Sequence, residues 1–79
     1  MMSKYTEQLE RWRKDAENTK PDSLAAPIAN ALLKVIEEVR ETVERAGEGQ
    51  AAARHMNRPA QVASEMYNAR LREMAPRKV

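Results

Sequence analysis

The sequence predicts an all-α fold, a small three-helix bundle or an open helical hairpin with a long central helix. Two observations carry this. Apolar residues recur at helical spacing along three separate stretches, and no strand pattern competes with them. Between those stretches stand the breaker clusters Asn18-Thr19-Lys20-Pro21 and Gly47-Glu48-Gly49. At 79 residues the chain has room for one domain.

The first helix is expected over about residues 3–18. Ser3 serves as N-cap, with Thr6 and Glu7 in the opening turn. Tyr5, Leu9, Trp12 and Ala16 follow on one narrow stripe, with Trp12 at its centre. Glu7–Arg11 and Glu10–Lys14 are i,i+4 pairs in the favourable order. The breaker cluster and the restriction on Lys20 before a proline stop the helix near Asn18.

The second helix, about 22–46, has the most regular pattern. From Leu24, the residues Ile28, Ala31, Leu32, Val35, Ile36, Val39, Val43 and Ala46 fall within an arc of roughly 140°. Thr19 or Asp22 is the expected cap. Pro27 fits if the helix begins near it and implies a kink if the helix begins at Pro21. Gly47 and Gly49 end the helix, with Arg45 at its negative pole.

Residues 47–57 read as a linker in which Ala51-Ala52-Ala53-Arg54 allows a short extra turn. A third helix is expected over about 58–75, capped by Asn57 and closed by Pro76. Val62, Ala63, Met66, Tyr67, Leu71 and Met74 give it a broad apolar face, with Arg70 inside that arc.

Composition restricts the function classes. The chain has no Phe, one Trp and two Tyr, so the core rests on Leu, Ile, Val, Met and Ala. With no Cys there is no disulfide staple, and a reducing compartment is expected. No apolar run reaches membrane-spanning length, and the N-terminus carries no secretory pattern, so the expected location is the cytoplasm. Net charge is +2, spread as +1 over residues 1–20, −2 over 21–46 and +3 over 47–79. That balance neither demands nor excludes a polyanion.

Catalysis finds little support. One His without Cys leaves no nucleophile–base constellation, and His55 has no metal-ligand neighbour at the required spacing. The bland reading of His55 is a solvated loop residue. Gly47-Glu48-Gly49 lacks the strand and the Lys-Ser/Thr of a phosphate cradle. No cofactor and no metal are expected.

Binding surfaces are better represented. Glu37, Glu41 and Glu44, with Glu48 in register beyond them, make an acidic ridge on the second helix. Such a ridge is either an ordinary solvated face or a docking surface for a basic cleft. Gln61, Ser64, Asn68 and Arg72 share the polar face of the third helix, where they are solvated or read base edges. Arg70 beside Tyr67 and Met74 combines residue types enriched at protein interfaces. The alternative is that Arg70 lies along its apolar neighbours or pairs with another helix.

In length, helical content and composition the chain resembles the short phage-encoded inhibitors of bacterial defence, anti-CRISPR proteins above all. The resemblance involves no shared motif and assigns no residue. It implies a mechanism: blockade of the site where a CRISPR effector takes up target DNA. The reading adopted is a non-catalytic protein-binding inhibitor with contacts at Glu37, Glu41, Glu44, Tyr67, Arg70 and Arg72. Its partner is a larger bacterial protein or ribonucleoprotein complex. Two alternatives stand beside it. One is a DNA-binding regulator using Gln61, Asn68 and Arg72 for bases and Arg54, Arg58, Arg77 and Lys78 for phosphates. The other is a subunit that self-associates, as a homodimer or larger, through the apolar face of the second helix.

Overall fold

The computed structural model describes residues 4–55 and 57–75. It is all-α, with helices α1 (Lys4–Glu17), α2 (Ala26–Ala46), α3 (Glu48–His55) and α4 (Asn57–Met74), and there is no strand among the described residues. α2 is the spine, and α1, α3 and α4 all pack on it, while α1 and α4 touch each other lightly. α1 runs antiparallel to α2, since its end joins the start of α2 and its Tyr5 lies near Glu48 at the far end. α3 and α4 return along α2 in the same sense. His55 of α3 meets Thr42, and Glu73 near the end of α4 meets the backbone at the start of α2.

The core lies along one side of α2. Leu32, Ile36 and Val39 are fully buried, with Ala29 and Val35 beside them. α1 contributes Leu9 and Ala16, α3 contributes Ala51, and α4 contributes Pro59, Met66 and Ala69. Ala16, Ala51 and Ala69 alternate on the partner helices with the larger Leu9 and Met66 against the branched residues of α2. No helix among the described residues is long and apolar enough to cross a membrane.

Several expectations change on the structure. The stretch 47–57 is not a linker, because Glu48–His55 is helical. Gly47 turns the chain at φ +91°, a value that suits glycine, and its N–H closes α2 on the Val43 carbonyl. The alanine run then lays Ala51 fully buried against the core. Tertiary burial extends a propensity that by itself supports only a turn. His55 is therefore a half-buried helix residue, with Nε2 3.3 Å from Thr42 Oγ1. The Thr42 hydroxyl donates to the Glu38 carbonyl at 3.0 Å, which leaves its oxygen to accept from the imidazole.

α2 begins at Ala26 rather than near residue 22, so Pro27 occupies its first turn and imposes no kink. Residues 20–25 instead make tight turns, with Ser23 N–H bonded to the Lys20 carbonyl and Ala26 N–H to the Ser23 carbonyl. Neither Thr19 nor Asp22 caps α2, and Leu24 falls in the turn, 60% exposed. Ala31 and Ala46 are exposed, so the buried arc of α2 is narrower than its apolar pattern. On α1 the ion pairs also differ: Arg13 takes both Glu17 (2.9 Å) and Glu10 (3.4 Å). Asn57 is the first residue of α4 by hydrogen-bond pattern. The expected roles of Ser3, Pro76, Arg77 and Lys78 lie outside the described residues.

Candidate functional site

The apolar face expected of the last helix is split in two by the way α4 packs. Pro59, Met66 and Ala69 turn into the core, with Val62 and Ala63 partly buried against it. Tyr67, Leu71 and Met74 point away and are 63%, 46% and 79% exposed. With exposed Ala60 and Ser64 they form a single outer seam, spaced 4, 3, 4 and 3 residues apart. Exposed single apolar residues are ordinary, but three large ones in register on one helix are not.

α1 borders this seam. Trp12 is not the centre of the α1 core stripe; Leu9 and Ala16 are buried, and Trp12 is half-buried at the flank. It forms one wall of a shallow groove of about 330 Å³ whose other walls include Ala60, Ala63, Ser64 and Tyr67. Deeper along the same α1–α4 junction, Trp12, Asp15, Met66 and Arg70 line a smaller recess of about 170 Å³.

Arg70 is half-buried and tied back onto α1. Its Nη2 donates to the Asp15 carbonyl at 3.1 Å and to Thr19 Oγ1 at 2.8 Å, at the C-terminal end of α1. Thr19 Oγ1 in turn donates to the Asp15 carbonyl at 2.8 Å. A cation at the negative end of a helix, bonded to one of its last carbonyls, stabilises that terminus. Glu73 does the converse one turn further along α4. Its carboxylate accepts from the backbone N–H groups of Leu24 and of Ala25 (3.3 Å), where α2 has no side-chain cap of its own. The α1–α2 turn is thus clasped by two opposite charges from α4. A cleft of about 340 Å³ lies between them, lined by Asn18, Thr19, Ser23, Arg70 and Glu73, with Arg70 bonded to Thr19 and the Ser23 hydroxyl bonded locally to the Lys20 carbonyl.

The six residues assigned as contacts do not form one surface. Tyr67 and Arg70 share the α1–α4 junction. Arg72 stands on the other flank of α4, against Ile28, Glu65, Asn68 and Ala69. Glu37, Glu41 and Glu44 are exposed on α2 and form no ion pair among the described residues. Glu37 shares a depression with Arg13, Glu17, Leu33 and Arg40 at the α1–α2 junction. Lys34, Arg40 and Arg45 are exposed on the same helix, so the ridge is of mixed sign. Gly47 turns Glu48 out of line with it, towards Tyr5.

Burial, and secondarily the Glu48 carboxylate, push the Tyr5 phenol above its ordinary value near 10. The Tyr5 hydroxyl is buried with no hydrogen-bond partner among the described residues. Sequence reasoning missed Thr19 and Glu73 as anchors. A signal for Glu73 existed: an acid in the last turn opposes its own helix dipole, and such a residue is well placed to serve another helix's N-terminus. Among the described residues no group of three or more His, Asp or Glu side chains is arranged to hold a metal. The surface offers shape, apolar area and a few polar handles.

Comparison with protein-family models, with curated proteins and with solved structures finds no match to this chain.

Proposed function

We propose that this chain is a non-catalytic protein-binding inhibitor whose contact surface is the outer seam of α4, bordered by Trp12. The observation that carries the reading is the placement of Tyr67, Leu71 and Met74 in solvent. A chain without Phe and with one Trp has few large apolar side chains for its core. Three of them leave much of their surface outside, where folding gains only part of what their burial is worth and association gains the rest. Tyr and Met are also residue types favoured at interfaces. Glu37, Glu41 and Glu44 on α2, interleaved with Lys34, Arg40 and Arg45, add a second, polar contact of mixed sign that is weaker than the seam and sensitive to salt.

The partner is a larger bacterial protein or ribonucleoprotein complex, and the mode of action is that of the anti-CRISPR proteins the chain resembles in size and composition. It occupies the surface where a CRISPR effector takes up target DNA. Direct DNA reading is less well served. One residue position separates the bounds of α3 and α4, where a helix–turn–helix requires a turn of three or four.

The test is affinity capture of the tagged chain from nuclease-treated bacterial lysate, followed by a DNA-binding assay on the purified complex it retains. A stoichiometric complex whose DNA uptake falls as the chain is added supports the reading. Capture that vanishes when DNA alone is digested, with RNA left intact, contradicts it and moves the contact to Gln61, Asn68 and Arg72.

A further inference from the structure

We propose that in the free protein the outer seam of α4 is covered by the same seam of a second copy, packed antiparallel across a two-fold axis near Tyr67. The seam Ala60, Ser64, Tyr67, Leu71 and Met74 follows the alternating three- and four-residue spacing that lets two helices mesh side chains. Its size profile is lopsided: small residues at the N-terminal end, large ones at the C-terminal end. An antiparallel pairing centred on Tyr67 sets Ala60 opposite Met74 of the other copy and Ser64 opposite Leu71. Each copy thereby offers two large side chains to two small ones, twice over, as a two-fold contact requires.

The tertiary structure supplies the receiving shape. The groove of about 330 Å³ lies over the small end of the seam, walled by Trp12, Ala63 and Tyr67. Leu71 and Met74, at 46% and 79% exposure, are the projections that fit it. A methionine against the Trp12 ring makes a favourable sulfur–aromatic contact. Charge agrees with this pairing. Gln61 and Asn68 on one flank are uncharged, and on the other flank Arg70 faces Ala63 of the second copy, so no like charges oppose each other. A parallel pairing instead stacks Met74 on Met74 and leaves both grooves empty.

The inference rests on the proposed contact face and adds its regulation. The free chain keeps the seam covered, and the target competes with the second copy for it. Because the contact is one helix face wide, the dimer is of the weak, reversible size class.

Sedimentation of the purified chain across a concentration series should give a monomer–dimer equilibrium. Leu71→Glu should raise its dissociation constant at least roughly tenfold, a contact worth about 1.4 kcal/mol, with helicity unchanged. Met74→Glu, at a more exposed position, repeats the test should the first variant fold poorly. The chain has no cysteine, so single thiols report the geometry cleanly. With a short thiol-to-thiol cross-linker, Asn68→Cys should link to itself and Gln61→Cys should link to Ala75→Cys in a mixture. Glu41→Cys on α2 should not link. A chain that stays monomeric at all concentrations overturns the inference, as do self-links of Gln61→Cys and of Ala75→Cys, which report a parallel pair. A dimer unmoved by both glutamate substitutions also overturns it. If the pure chain is monomeric while Leu71→Glu still abolishes target capture, the docking reading stands and the self-association falls.

Discussion

Arg70 and Glu73 stand one turn apart on α4 and hold opposite ends of two different helices, each by the charge that suits that end. Hydrogen bonds to charged groups are worth about 1.5–3 kcal/mol, less where solvent reaches them, so either loss is measurable in a domain this small. Arg70→Ala is expected to lower stability by about 1–2 kcal/mol, a fall of several degrees in Tm by circular dichroism. Glu73→Ala should do the same. Thr19→Val in the Arg70→Ala background should cost less than in the wild type, because the hydroxyl has already lost its donor. Strict additivity of these two would contradict the shared bond. Arg70→Ala is accordingly a poor probe of partner contact, since any effect on capture is mixed with loosening of α1. Tyr5 gives a prediction of opposite sign. Its buried hydroxyl has no partner among the described residues, so Tyr5→Phe should be neutral or stabilising by up to about 1 kcal/mol. The folded phenol holds its proton above the ordinary value. Its contribution is therefore complete below about pH 10 and is lost as pH rises through the folded value. Alkaline melting should be shallower in Tyr5→Phe than in the wild type, and identical alkaline profiles would remove Tyr5 from the account.

At the scale of elements, α3 depends on how α2 ends. Gly47 at φ +91° is in a region that other residues rarely adopt, so Gly47→Ala should cost about 1–3 kcal/mol although nothing stands within 4 Å of the added methyl. Gly49 lies inside α3 with equally open space, and Gly49→Ala should stabilise by about 0.5–1 kcal/mol. Equal thermal shifts in the two variants would contradict the assignment of Gly47 as the turn and Gly49 as helix. The same stretch marks where the sequence was legible and where it was not. The branched residues of α2 repeat with a period that only a helix satisfies, and the structure buries Leu32, Val35, Ile36 and Val39 as that pattern requires. Glu48–His55 has two breakers at its start and no apolar face wider than alanine, so its helicity depends on the burial of Ala51, which is a tertiary fact. The start of α2 was hidden for a related reason: the N–H groups of Leu24 and Ala25 that lead into it are held by Glu73, nearly fifty residues away. The outer seam was visible as residues, since Tyr67, Leu71 and Met74 were part of the apolar pattern, but not as a surface. An arc too wide to bury on one side says that some of it is left over without saying which part.

For the whole molecule, the radius of gyration of 14.0 Å exceeds the roughly 12 Å expected of a compact chain of this length. The extents of 51 × 21 × 19 Å describe a rod with α2 along it and much surface for its volume. Such a shape leaves a single thin core, so Leu32→Ala at a fully buried position is expected to cost about 2–5 kcal/mol and to leave most of the chain unfolded at 37 °C. A folded Leu32→Ala variant with unchanged Tm would mean that α2 is not the spine. Seam substitutions should behave in the opposite way, because Leu71 and Met74 contribute little to the core of their own chain. Loss of function with retained fold is the signature that separates a contact surface from a core.

The measurement that tests the central claim most directly is quantitative capture by Leu71→Glu beside the wild type and Glu37→Lys/Glu41→Lys, from nuclease-treated lysate, with helicity recorded for each. Leu71→Glu is predicted to keep its helical signal, with its melting temperature unchanged at dilutions where the wild type is monomeric, and to lose the captured complex at least roughly tenfold, with a smaller, salt-dependent loss for the α2 pair. Full retention of the complex by a folded Leu71→Glu chain would contradict the assignment of the outer seam of α4 as the surface through which this protein acts.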